Sequence, residues 1–158
     1  MANEVVSLGV KLGYCVETTA GTRPSTSYTN LPGITSVPSF DPQPENIETT
    51  TLNETEYRTY VQGLKGVENA EFGYYLSQDF VTAYNTMYSA YETAKASNKG
   101  MWFVIHFPTT SGFNKDFFFR GQPSKLGLPG IEVNSVISGN FTITPEQIHG
   151  YDTQITIS

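Results

Sequence analysis

Residues 101–121, MWFVIHFPTTSGFNKDFFFRG, constrain the fold more than any other stretch of this chain. Two aromatic-rich runs flank a short polar segment, as in a β-hairpin. Successive side chains leave opposite faces of a strand, so a hairpin with one wet face alternates apolar with polar. This one does not. Met101, Phe103, Ile105 and Phe107 share one face, while Trp102, Val104 and His106 share the other. In the second run Phe117 and Phe119 oppose Phe118 and Arg120. Both faces therefore need cover. A small domain has little material to spare for that, and the expected cover is a second copy of the chain.

The chain has 158 residues, enough for one domain with a real core and too few for two comfortable ones. Only 15% of them are charged, against about 25% in ordinary soluble proteins. Aromatics make up 13%, and this balance favours strands and turns. A net charge of −6 argues against a protein that grips phosphates with clustered Lys and Arg. Cys15 is the single cysteine, which excludes an intrachain disulfide and leaves a small apolar residue in a strand. The N-terminal MANEVVSLGVK lacks the pattern of a secretory signal, and no window nears the ~20 apolar residues of a membrane span. The expectation is a protein made in a cytoplasm, with no membrane partner.

Along the chain, Val10, Leu12, Tyr14 and Val16 alternate with Lys11, Gly13 and Cys15, which predicts a first strand. Residues 17–46 carry Pro24, Pro32, Pro38, Pro42 and Pro44 and are expected to form a long connection rather than continuous sheet. Strands are expected at 47–51 and at 57–61 or 69–76, with a polar, partly ordered hairpin loop over 51–66. Residues 79–97 read as the one helix. Phe80, Tyr84, Met87, Tyr91 and Ala94 fall on a single stripe, Ser77 or Asp79 suits the N-cap, and Gly100 the C-terminal stop. Residues 122–130 read as a connection, 131–137 and 140–144 as a hairpin, 145–151 as a break, and 153–158 as a short last strand. The sum is a mainly β chain of roughly seven strands, a β-sandwich or partial barrel with one flanking helix, in a single domain.

No chemistry-bearing pattern stands out. His106 lies mid-strand among apolar neighbours and reads as a core or interface residue. His149 and Asp152 could form a dyad, but no Ser or Cys sits in a nucleophile motif. Phosphate-binding glycine motifs are missing from the sequence, and Glu45, Glu48, Glu54 and Glu56 do not follow a calcium-loop pattern. The expectation is no enzyme, no cofactor and no metal. Aromatic β-sandwiches also bind carbohydrate by stacking, with Tyr57 and Tyr60 as candidates here; Trp102 sits mid-strand instead.

The order of these features resembles the major tail protein, or tail tube protein, of long non-contractile-tailed, lambda-like bacteriophages. The resemblance covers most of the chain, from Leu31-Pro-Gly-Ile-Thr to about Thr144. It includes Tyr14-Cys-Val-Glu-Thr-Thr-Ala-Gly-Thr and Tyr28-Thr-Asn-Leu-Pro-Gly-Ile. Ile47-Glu-Thr-Thr opens a polar loop that Gln62-Gly-Leu-Lys closes, and Glu71-Phe-Gly-Tyr-Tyr-Leu precedes the helix. Val104-Ile-His-Phe-Pro, Phe119-Arg-Gly and Glu132-Val-Asn-Ser-Val follow it. The resemblance implies a virion protein whose hexameric rings stack into a hollow tube that conducts double-stranded DNA from the capsid. It implies a sheet that joins neighbouring subunits into an inner barrel. It also implies partners in the tape measure, terminator and distal tail proteins. The loop that orders on contact between subunits would be residues 49–65, with Thr49, Leu52, Tyr57, Arg58, Tyr60 and Leu64 at the interface. Some relatives carry a further immunoglobulin-like domain, and none is expected here.

Acidic charge suits such a lumen, because like charge disfavours phosphate contact over a screening length of about 8–10 Å. Alternation with Ile131 and Val133 makes Glu132 and Asn134 the lumen-facing candidates. Trp102, His106 and Phe118 are the hairpin residues expected at an interface or in the core. Two other readings remain: a related tube-lineage protein (a tail terminator or a secretion-system tube) and a carbohydrate-binding β-sandwich.

Overall fold

The alternating run near the N-terminus forms β1 (Lys11–Val16), with Leu12 and Tyr14 buried on one side. The computed structural model describes residues 9–40, 43–48, 60–66, 69–108 and 113–157. Within them follow β2 (Thr29–Leu31), β3 (Ile34–Ser36), β4 (Gln43–Glu48), β5 (Tyr60–Gly66) and β6 (Ala70–Tyr75). The helix α1 (Gln78–Ala96) precedes β7 (Met101–His106), β8 (Lys115–Pro123) and β9 (Ser138–Thr153). Seven strands pair antiparallel in the order β2-β1-β7-β8-β9-β6-β3, while β4 and β5 form a separate two-stranded hairpin.

The two edge strands of the large sheet, β2 and β3, are consecutive in sequence and joined by Pro32 and Gly33 alone. So short a link forces the edges together, and the sheet curls into a nearly closed, barrel-like shape that leaves little free edge. Gly33 takes φ +81, a left-handed conformation that a side chain disfavours, and its carbonyl accepts a 3.0 Å bond from the Tyr75 amide at the end of β6. The long connection predicted over 17–46 thus holds two short strands that do the closing, and the start of β4.

The helix buries Phe80, Tyr84, Met87, Tyr91 and Ala94, the same stripe that the sequence spacing marks out. Ser77 caps it, its hydroxyl accepting from the Phe80 amide at 3.1 Å. At the C-terminus the left-handed residue is Asn98 (φ 59), not Gly100. Asn tolerates that region. Gly100 instead makes room for Arg120, whose guanidinium a Cβ at residue 100 would strike. The stripe packs on the concave face of the sheet against Leu12, Leu31, Phe72, Phe103, Phe119 and Phe141. Phe80 stacks on Tyr74 with centroids 4.3 Å apart, and the Tyr84 hydroxyl donates to the Ser124 carbonyl just past β8.

The C-terminal third departs from the sequence reading. Residues 131–137 form an exposed loop rather than a strand. The β6–β9 ladder ends at Tyr75 paired with Ser138, so the residues before Ser138 run past the end of β6 and have no ladder to join. β9 in turn runs unbroken through Pro145, where the sequence predicts a break. Between the pairs Arg120–Gln147 and Gly121–Pro145 one extra residue, Glu146, is bulged out, and His149 is a second extra residue between the partners of Phe118 and Phe119. Bulges are where a sheet accepts proline.

Closing the barrel through Gly33 makes a prediction. Gly33→Ala meets only ordinary contacts with Phe80 and the Tyr75 carbonyl, so its effect is backbone strain alone. A loss of about 1–2 kcal/mol is expected in urea unfolding, with the slope unchanged.

Candidate functional site

The second face of the β7–β8 hairpin is covered from within the chain. Trp102, Val104 and Phe118 are buried there with Tyr28, and Cys15, Ile155 and Ile157 pack against them. Gly13 leaves the space that the Ile157 side chain and Val104 fill, each 3.1 Å from where its Cβ would stand. Tyr28 lies 5.9 Å from Phe118 between ring centroids, donates its hydroxyl to the Pro24 carbonyl at 2.8 Å and pairs with Ile157. The expected cover by a second copy is therefore corrected. Residues 17–28 and the segment after β9 supply it, because β9 is long enough to bring the chain back across the sheet.

Two buried carboxylates hold this arrangement. Asp116 on β8 accepts from His106 Nδ1 at 2.8 Å, the Phe107 amide at 3.2 Å, Gln154 Nε2 at 3.3 Å and the Ile155 amide at 3.2 Å. It thereby pins the segment that carries Ile155 and Ile157. Glu17 accepts from the Gly100 amide at 2.6 Å and from Trp102 Nε1 at 2.9 Å, which fixes residue 17 against the start of β7. Burial pushes the Glu17 carboxyl up, but the bonds from Trp102, Gly100 and Gly21 and the charge of Arg120 outweigh it and hold the group below its usual range. Arg120 Nε lies 3.0 Å from Glu146 Oε2 as an ion pair without hydrogen-bond alignment.

His149 and Asp152 do meet, Nε2 to Oδ2 at 2.9 Å, and Arg23 reaches the same oxygen at 2.9 Å while lying 4.3 Å over the Phe118 ring. The His149 hydrogen bond, first among several favourable contacts, holds the Asp152 carboxyl below its ordinary value. This cluster ties residue 23 to β9 at the bulge. Among the described residues no nucleophile joins it, nor does one join His106 and Asp116. Among the described residues no three His, Cys, Asp or Glu side chains gather as a metal site, and no helix is long and apolar enough to cross a membrane.

Of the anticipated interface residues, Thr49, Leu52, Tyr57 and Arg58 lie outside the described residues. Tyr60 and Leu64 fall on β5, so the loop expected over 49–65 is in part a strand: Tyr60 pairs with Glu48 and Lys65 with Pro44. Glu132 and Asn134 sit in the exposed 131–137 loop, Asn134 with φ 63, so the strand alternation that put them on a common face is not there.

That loop is the most exposed apolar feature among the described residues. Its ends are fixed: the Ser124 amide donates to the Thr142 carbonyl at 3.0 Å, and the Leu76 amide to the Ile137 carbonyl at 2.9 Å. Between them Leu128, Ile131, Val133 and Val136 are 83%, 62%, 88% and 72% exposed. Four aliphatic side chains this wet in nine residues are unusual for a monomer surface. The signal was present in the sequence as Gly127, Pro129 and Gly130, turn residues that argue for a loop. A cleft of about 710 Å³ opens elsewhere, lined among others by Val10, Phe40, Ile105, Phe107, Phe117 and Tyr151.

No protein-family model matches the chain, and no curated protein matches it. Among solved structures it is similar to a chain in the cryo-EM structure of the anti-feeding prophage (AFP) baseplate, 6-fold symmetrised. The likeness is one of fold. It covers 95% of this chain and 97% of that one, with a TM-score of 0.53 at 7% identity. The correspondence thus extends end to end over a mainly β domain with one helix.

The Glu17 clamp sets a pH dependence. A carboxyl held below its ordinary value adds stability that is fully present above the unfolded-state pKa and is lost as pH falls through the folded one. Glu17→Gln should therefore be less stable than the parent at neutral pH, by about 1–3 kcal/mol for weakened bonds to buried donors. Denaturant titrations should show the gap closing as pH falls below the ordinary glutamate range. A gap that persists unchanged at a pH of about 2, well below that range, would assign the loss to packing.

Proposed function

We propose that the protein is a structural component of a phage-tail-like particle, and that it assembles with copies of itself into sixfold rings of the tail tube lineage. The observation that carries this reading is the end-to-end fold likeness to a chain of a 6-fold symmetrised baseplate. The ordered set of sequence features resembling lambda-like tail tube proteins agrees with it. So does a surface that places aliphatic side chains in water and sets a two-stranded hairpin apart from the main sheet.

In this reading the rings stack into a tube through which double-stranded DNA passes without being gripped. Six copies would bring a net charge of about −36, which keeps phosphates from adhering to the wall. The role is structural and needs no catalysis or cofactor. The partners are other tail proteins, among them the tape measure, terminator and distal tail proteins, and the protein is made in the host cytoplasm and ends in the virion. A second reading follows from where the similar chain resides: a ring built once, at the baseplate end, rather than a repeating tube.

Electron microscopy of the purified protein over a concentration series, with light scattering for mass, tests both. Rings of six that stack without limit support the tube, and single rings that do not stack support the baseplate position. A monodisperse monomer at every concentration and salt would overturn the assembly reading.

A further inference from the structure

We infer that self-association uses a head-to-tail contact in which the 124–137 loop of one copy fills the cleft beside Phe40 of the next. The inference rests on the self-assembly reading above and specifies its contact. The loop is an ordered projection, not a frayed one. Both ends are hydrogen-bonded to the sheet or its edge, Ser135 Oγ donates to the Glu132 carbonyl at 3.3 Å, and Pro129 packs where Gly139 lacks a Cβ. Its four exposed aliphatic side chains present on the order of 500 Å² of apolar surface, at the upper end for the largest patch of a monomer. That is more than half of the ~800 Å² each partner gives to an ordinary stable interface.

The cleft has the complementary character. It is lined by aliphatic and aromatic groups, with the small hydroxyls of Thr35, Ser36 and Ser39 at its β3 side, and none of the described residues lining it is charged. Its volume of about 710 Å³ holds several aliphatic side chains. The loop does not fill its own cleft: none of its four exposed aliphatic side chains lines it. Knob and hole on different parts of one molecule make a heterologous contact, which does not stop at two copies and generates rings or stacks.

Two surface substitutions test this without touching the core: Val133→Asp on the loop and Ser39→Arg at the cleft, both at exposed positions. Thermal unfolding of each checks that the monomer is intact. Each alone should weaken self-association at least tenfold in sedimentation or light scattering. Mixed in equal amounts they retain one good junction, between the cleft of V133D and the loop of S39R, and should give a one-to-one heterodimer and nothing larger. If the parent chain assembles and both variants assemble as it does, the loop-in-cleft contact is wrong while self-assembly stands. If the parent chain stays monomeric throughout, both ideas fall. If Ser39→Arg shifts the NMR signals of residues 60–66, independent of concentration, the cleft belongs to the chain's own hairpin and the contact is overturned.

Discussion

The ladder between β7 and β8 is buried on both faces, and the position of every other element follows from the need to keep it so. Five aromatic rings stand in its two strands, Trp102, Phe103, Phe117, Phe118 and Phe119, and a large side chain of this kind buries about 150–250 Å². Leaving either set in water would forfeit about 2–3 kcal/mol per ring. The concave face is met by α1 and the far strands of the curled sheet. The convex face is met by residue 28 and the segment after β9, which the Asp116 carboxylate fastens in place. A buried carboxylate that accepts four hydrogen bonds is a structural device here, since removing any donor leaves charge uncompensated in the core.

The elements most legible in the sequence were those whose pattern reports a local rule. The helix stripe, the Ser77 cap and the alternation of β1 depend on residues three or four apart, or two apart, and the structure keeps them. Strand content and the single helix were legible for the same reason, and the nearly closed barrel-like sheet agrees with the partial barrel among the expected folds. What was not legible depends on partners distant in sequence. Ile131, Val133 and Val136 look like strand residues, but no neighbouring strand extends far enough to pair with them. Pro145 looks like a terminator until β8 is placed beside it with one residue fewer.

The candidate site was the least legible part. Glu17 and Asp116 are ordinary acids in sequence, and nothing near them announces burial, because their donors come from residues 100, 102, 106, 107, 154 and 155. Trp102 and Phe118 carried the first argument for an oligomer, through the premise that a small domain cannot cover two faces of one hairpin. The premise fails on length. A 16-residue β9 spans well beyond β6, and its end returns over the convex face, so one chain does what two copies were expected to do.

Once both faces of the hairpin are satisfied internally, the contacts of the proposed assembly have to lie elsewhere, and the fold restricts where. Pro32 and Gly33 join the two edge strands of the large sheet, so edge-to-edge strand addition to that sheet has little backbone left to use. The helix is committed to the concave core by its aromatic stripe. Among the described residues, the largest groups of apolar side chains left at the surface are the loop between β8 and β9 and the cleft beside Phe40, and the loop's exposed side chains do not line the cleft. In the assembly proposed above, contact groups at two different places would make association directional, which is what a ring or a tube requires.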